Sequence, residues 1–317
     1  MIELTFVIII LGIVSSIGSE IIANIYKNYL LQRATFRASL KTELAAQQIA
    51  NYLGYRIPGT TIARNPANVT DNVAVTDPTN NTDNTHVLLE WIGMDNDGFS
   101  AAIRPPWNGF CDTDPSVTGQ NAITTPGSDL TLANTILSNL SNGEVALNGA
   151  AQYPAIFFRS PRFSYTSSPF SEKLYDILGP NGNDGCMGVV SADQSCISTV
   201  ESTAFETLSF KVTPDPTNKV ISEHYKLAWS AYSIMQIPKP NTNNLFDLKL
   251  CYNYQPWEGE RLSNNNGCPG TLSTIISNVS VFKFAESGNT FRFKVCSQEN
   301  IGEDFNVSIC KEKAVIL

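Results

Sequence analysis

Before Pro58 the chain has no proline, before Cys111 it has no cysteine, and its 317 residues include only two histidines, His86 and His224. The first absence frees residues 1–57 of the ring that interrupts helices. The shortage of histidine leaves little imidazole for acid–base or metal chemistry, and each histidine opens a strand-like run, where a structural or surface role suffices. No HExxH, no GxxxxGK[ST], no GxGxxG after a strand and, beyond the first segment, no GxSxG occurs, so the chain is expected not to be an enzyme. No CxxC is found among the seven cysteines, which removes the usual zinc and thioredoxin readings. Cations are also in deficit: 21 Lys and Arg stand against 29 Asp and Glu, a formal charge of −8. Lys27, Arg33, Arg37, Lys41, Arg56 and Arg64 all lie on or just after the first segment, opposed by only Glu3, Glu20 and Glu43. The remainder is more acidic than the total suggests, which argues against a dedicated nucleic-acid surface.

What is present begins at the N-terminus. Met1-Ile2-Glu3-Leu4-Thr5-Phe6-Val7-Ile8-Ile9-Ile10-Leu11-Gly12-Ile13-Val14 is apolar apart from Glu3 and Thr5. Leu4 to Ser19 spans about 24 Å as a helix, and including Ile21, Ile22, Ala23 and Ile25 takes it past the roughly 30 Å of a hydrocarbon core. Glu20 then faces a partner or snorkels. No basic residue precedes Lys27, unlike the n-region of a secretory signal. A plain single-pass anchor accounts for the apolar run but gives no reason for Glu3.

Ile2-Glu3-Leu4 followed by the Val/Ile-rich run with Gly12 resembles the start of a type IV pilin or type II secretion pseudopilin, the prepilin-type N-terminal methylation motif. The family's precursors carry a short basic leader ending in glycine before a phenylalanine, so coding sequence upstream of Met1 is expected to specify one. The usual helix-kinking proline is replaced at or near Glu20. The size of the chain, about twice that of a filament-building pilin, points within the family to a minor pilin, and the C-terminal run resembles the tails of large PilW-like minor pilins. The resemblance implies that Glu3, with Ile2 and Leu4, acts in assembly, where the matching glutamate meets a positively charged N-terminus. It also implies other pilin or pseudopilin subunits, the assembly machinery and the inner membrane as partners, with a periplasmic ectodomain before entry into the filament.

The residues themselves predict an α+β fold: one long helix over Leu4 to about Tyr52, ended by Gly54 and Pro58, then antiparallel sheet with large loops. Residues 1–25 form the transmembrane and assembly part, 26–54 an amphipathic part, and 55–317 a β-rich ectodomain. Leu40 with Leu44, and Ala45, Ile49 and Leu53, stack at helical spacing and are expected to face the sheet. Gly59 to Thr85 reads as a long polar loop. Strand signals follow at His86–Ile92, Phe99–Ile103, Glu144–Leu147, Ala155–Arg159, Phe205–Thr213, His224–Ile237, Leu245–Tyr254, Asn278–Ala285, Thr290–Ser297 and Asn306–Lys311, with a helix at Leu130–Leu140 and a hairpin turn at Ser287-Gly288-Asn289.

Six cysteines fall in neighbouring couples, so Cys186 with Cys196, Cys251 with Cys268, and Cys296 with Cys310 is the simplest of 15 connectivities. Disulfides place the ectodomain on the oxidising side of a membrane. Cys111 is left over, as a buried thiol or an intermolecular link. Asp95-Asn96-Asp97-Gly98 reads as a β-turn; Asp95 and Asp97 are weak calcium candidates only, because Gly93 and Arg104 occupy positions where an EF-hand needs carboxylates. No cofactor is otherwise expected. Asp304-Phe305-Asn306-Val307-Ser308 fits an extended acidic N-glycosylation sequon. Function is therefore expected to be that of a minor (pseudo)pilin at or near a filament tip. A type II secretion pseudopilin is one alternative. The other is an adhesin-like ectodomain on a pilin stem, using the loops before His86 and over Thr118–Ser128.

Overall fold

The computed structural model describes residues 2–58, 60–75, 85–119, 121–149, 151–158, 197–212, 221, 223–240, 242, 244–287, 290–301 and 305–316. Helix α1 (Ile2–Gly54) is unbroken, as the lack of proline requires. Strands β1 (Ile62–Asn65) and β2 (Asn68–Ala74) form an antiparallel hairpin inside the stretch read as a loop, and β1 also pairs with β3 (Leu88–Gly93). The hairpin is masked by its polar composition: Asn68, Thr70 and Asp71 are exposed on the edge strand, while Asn72 is buried. The acidic turn is instead the start of a short helix, α2 (Asn96–Ser100), capped by Asp95, so Phe99–Ile103 is not a strand.

The chain then builds a smaller sheet. It comprises β4 (Ala122–Thr124), β5 (Ala155–Phe158), β6 (Ser198–Ala204), β7 (Thr207–Val212) and β8 (Tyr225–Ala228), in the order β4-β7-β6-β5-β8. Helix α3 (Leu130–Leu140) matches its expected bounds and buries Leu130, Ala133 and Leu137 beneath this sheet. Glu144–Leu147 is not a strand; Val145 makes one isolated bridge to Gln152. The run His224–Ile237 divides at Trp229: β8 ends one sheet and β9 (Ser230–Pro238) enters the other. The crossing is pinned by side chains, with Gln255 Nε2 donating to Trp229 O at 2.8 Å and Asn253 N to Ser230 Oγ at 2.8 Å.

The larger sheet is completed by β10 (Phe246–Tyr252), β11 (Thr271–Ser287), β12 (Thr290–Ile301) and β13 (Phe305–Ile316). It runs β13-β12-β11-β10-β9-β3-β1-β2, every neighbour antiparallel. Ser287 pairs with Thr290 as the hairpin reading demands, while Gly288 and Asn289 lie outside the described residues. Between the sheets sits a second core that holds an Arg64–Glu90 ion pair, both side chains almost fully buried; Tyr254 Oη donates to Glu90 at 2.8 Å and Arg64 Nη1 to Val69 O at 2.7 Å. Those bonds satisfy charges that would be costly alone, and burial pushes the Tyr254 phenol well up.

The second half of α1 lies across β11, β12 and β13. Its buried face is Ala34, Ala38, Thr42, Ala45, Ala46, Ile49 and Leu53, set against Val279, Phe282, Phe291, Phe293, Val295 and Val315. Ala45, Ile49 and Leu53 therefore face the sheet as expected, but Leu40 and Leu44 do not: they are 50% and 62% exposed. Small helix residues let the backbone come close to a sheet already filled by phenylalanine, so the bulky leucines are turned outward. Thr42 Oγ1 donates to Ala38 O at 2.6 Å and meets Ser297 Oγ at 2.7 Å. Just past the helix, the buried Arg56 donates to Leu53 O and Glu286 Oε1, each at 3.0 Å, and so ties the helix end to β11.

Two couples of cysteines are joined as expected, Cys251–Cys268 and Cys296–Cys310. The second joins residues directly opposite each other on β12 and β13, with Cα atoms 4.0 Å apart. Cys186 and Cys196 lie outside the described residues. Mass mapping without reductant should recover peptides linked through Cys251–Cys268 and Cys296–Cys310, and free thiols at these four positions would refute the fold's covalent frame. In urea titrations of the detergent-solubilised chain, Ala46→Leu should destabilise by about 1–3 kcal/mol through overpacking. Leu44→Ala should cost about 0.5 kcal/mol or less, as an exposed change does; the reverse order would mean that the wrong face has been assigned to the sheet.

Candidate assembly surface on the N-terminal helix

Ile2, Glu3 and Leu4 form the first turn of α1, with Glu3 where a carboxylate meets the positive end of the helix dipole. From Leu4 to Ile25 every large apolar side chain is solvent-facing in the isolated chain, and the apolar window of the helix has no residue buried against the rest of the protein. A core helix of a soluble protein would be covered; this one is long and apolar enough to cross a membrane. Its 22 residues amount to about 33 Å, and Tyr26, Lys27 and Tyr29 follow at once, the residue types found at the lipid–water boundary.

Beyond that boundary α1 has two faces. One is the alanine-rich face on the sheet. On the other, Tyr26, Tyr29, Phe36, Leu40 and Leu44 fall within roughly a 100° arc at 3.6 residues per turn, and all are exposed. Leu40 and Leu44 are the residues whose helical spacing suggested the opposite face, and Phe36 joins them here. The alanine row 34, 38, 45 and 46 was the signal that could have located them, since a helix with one small-residue face and one bulky face packs its small face closely. A contiguous apolar stripe running out of a membrane-length segment marks a surface meant to be covered.

Charges edge this stripe. Arg33, Arg37 and Lys41 stand in one row, a turn apart. Lys41 Nζ reaches Glu299 Oε1 at 2.8 Å, whereas Arg33 and Arg37 have no carboxylate partner among the described residues. On the other flank Glu43 sits between Lys313 at 2.6 Å and Lys311 at 3.4 Å, both on β13. The Lys313 hydrogen bond, followed by that from Lys311, holds the Glu43 carboxyl below its ordinary value.

The other sequence candidates lie apart from this surface. Asp95 is buried, with Oδ1 accepting from Gly98 N and Oδ2 from Trp107 Nε1, each at 2.9 Å, and burial pushes its carboxyl up. Asp97 is exposed on α2. No group of three or more His, Cys, Asp or Glu able to hold a metal gathers among the described residues. Cys111 is a buried free thiol whose pKa is raised by burial, which disfavours the intermolecular link. His86 Nε2 meets Asp71 Oδ1 at 3.1 Å, and the His224 ring meets Phe110. Asn306 is exposed on β13, while Asp304 of its sequon lies outside the described residues. The Thr118–Ser128 loop contains β4, and the stretch before His86 holds β1 and β2, with residues 76–84 outside the described residues.

Comparison with family models, with characterised proteins and with solved structures finds no match.

The Glu43 bridge gives a pH dependence. A carboxyl lowered in the folded state adds stability above its unfolded pKa, and loses that contribution as pH falls through the lowered folded value. Acidification below about pH 4 should thus loosen the seat of α1 on β13. Hydrogen exchange of residues 38–50 should rise there in the wild type, and Glu43→Gln should show the faster exchange already at pH 7; equal exchange in both proteins would deny the bridge a role.

Proposed function

We propose that this chain is a minor (pseudo)pilin: a membrane-anchored subunit that enters a type IV pilus or pseudopilus through its N-terminal helix. The observation that carries the reading is the bare face of α1. One continuous helix supplies an uncovered membrane-length segment, a carboxylate in its first turn and, past the boundary, an uncovered apolar stripe on a helix otherwise seated on a sheet. An anchor alone needs the first of these and has no use for the other two. The partners are the corresponding helices of neighbouring subunits, the inner membrane before assembly and the assembly machinery. A type IV pilus is favoured over a type II secretion pseudopilus. The bulk of the two-sheet ectodomain suits a place at or near the tip, where neighbours are few. The disulfides fit an ectodomain in an oxidising periplasm.

Glu3 recruits the subunit. An ionised side chain at the centre of a membrane helix costs about 2.5–3.5 kcal/mol on insertion scales, and a helix N-terminus returns roughly 0.3–1 kcal/mol. The rest is supplied by a cationic partner, an N-terminal amine of this or a neighbouring chain. A second reading, a binding ectodomain displayed on the same stem, draws on the exposed Phe99, Ile103 and Phe110 of the loops around α2.

Glu3→Ala, introduced in the full-length precursor, should leave the protein folded in the membrane while lowering its share in sheared filaments tenfold or more. Glu3→Gln should do nearly the same, since charge rather than shape is needed. The ratio of tagged subunit in filaments to that in membranes decides it, and wild-type incorporation by both variants would sink the reading.

A further inference from the structure

Helix α1 carries two sets of charge that no other described residue answers. Glu20 is exposed and has no ion-pair partner among the described residues. The positions three and four residues away are Ser16, Ile17, Ala23 and Asn24, so no helical pair relieves it. It lies six residues before Tyr26, about 9 Å inside the hydrocarbon boundary. Arg33 and Arg37 are the second set: exposed, one turn apart, and continuing in the row whose next member, Lys41, is answered by Glu299.

The two sets lie on different sides of the helix. At 3.6 residues per turn Glu20 falls in line with Ala38 and Ala45, on the domain-facing side carried down into the apolar half. Arg33 and Arg37 stand roughly 100–140° around from it, beside the bare stripe. Resting on the filament reading above, we infer that the two sets meet between two copies of this chain. Glu20 of one helix pairs with Arg33 and Arg37 of a second, parallel helix, offset along the axis by about 13–17 residues, or 20–25 Å.

Three consequences favour this arrangement. Each copy carries both halves of the contact on different faces, so two neighbouring copies meet head-to-tail and not across a two-fold axis. The offset lifts Glu20 of the upper copy from about 9 Å inside the boundary to about 11–16 Å outside it, level with the two guanidiniums of the copy below. The carboxylate thus leaves hydrocarbon as it gains its partner, which couples withdrawal of one subunit to docking on the next. Arginine suits the role, because its fork matches a carboxylate and its weakly hydrated head tolerates an apolar interface. Lipid headgroups do not serve Arg37: it stands about 16 Å beyond Tyr26, whereas the headgroup layer is roughly 5–8 Å deep on each side.

The test uses full-length chains in their own membranes and filaments. Two differently tagged copies are co-expressed, one with Glu20→Cys and the other with Arg33→Cys or Arg37→Cys, and oxidised. A mixed cross-link should form, and none between two Glu20→Cys copies. No mixed cross-link, one no stronger than that of Glu20→Cys with itself, or linkage only to a different subunit would overturn the pairing. As a second measurement, Glu20→Lys in both tagged copies, or Arg33→Glu with Arg37→Glu in both, should lower co-isolation of the two tags by ~10-fold, and combining the reversals should restore it. Failure of the combination to restore also overturns it. The Glu3 experiment reads separately. Loss of incorporation by Glu3→Ala without a Glu20–arginine cross-link leaves the filament reading standing and this pairing refuted, and the converse result refutes only the filament reading.

Discussion

The close seat of an alanine face on a phenylalanine-filled sheet is the contact on which the rest of the molecule depends. Ala34, Ala38, Ala45 and Ala46 bring the backbone of α1 near β11–β13, where Phe282, Phe291 and Phe293 supply the volume that the helix leaves out. Thr42 with Ser297 and Arg56 with Glu286 fix the helix along its axis at two points. Once the small face is committed inward, the bulky residues of that half other than Ile49, Tyr52 and Leu53 point mostly elsewhere. The outward stripe of Phe36, Leu40 and Leu44 is therefore in part a result of packing.

The same division organises the charges. Lys41 and Glu43 flank the seat and are answered by β12 and β13. Arg33 and Arg37 lie where that cover begins, on the side that it leaves open, and Glu20 lies in the stretch where no residue is buried. Neutralisation within the chain thus fades towards the N-terminus, from a bridged carboxylate to bare guanidiniums to a carboxylate in an apolar run.

Much of this was legible in the residues. The helix from Leu4 to Tyr52 and α3 follow from proline placement and periodicity, and the middles of β11, β12 and β13 from alternation. The two described disulfides match the simplest of the pairings that spacing leaves open. Strands β4 and β6 and the first seven residues of β11 carry no clear local signal. The errors share a cause. Leu40 and Leu44 share the i, i+4 spacing of an inward stripe, but the deciding feature is the smallness of Ala38 and Ala46. The hairpin of β1 and β2 was hidden by Asn and Thr on an edge, and the break at Trp229 by an unbroken run of strand formers whose two ends belong to different sheets. Asp95 reads as a turn residue, but its carboxylate is fixed by Trp107 twelve positions on, a contact no local pattern announces. The Arg64–Glu90–Tyr254 network is invisible for the same reason: its members are far apart along the chain and only the fold gathers them.

The Cys296–Cys310 bond has a mechanical consequence. Strand β13 is the outermost of the large sheet, paired only with β12, and it also carries Lys311 and Lys313, which grip the helix through Glu43. Tension applied along α1 reaches β12 and β11 through Ser297 and Glu286 and this edge strand through Lys311 and Lys313; of the three, the edge strand is the one a pulling force would peel first. A covalent rung between β12 and β13, midway along their pairing, stops such a peel halfway and passes the load to the strands behind. The edge that is weakest by hydrogen bonding alone becomes the part of the sheet best able to bear traction.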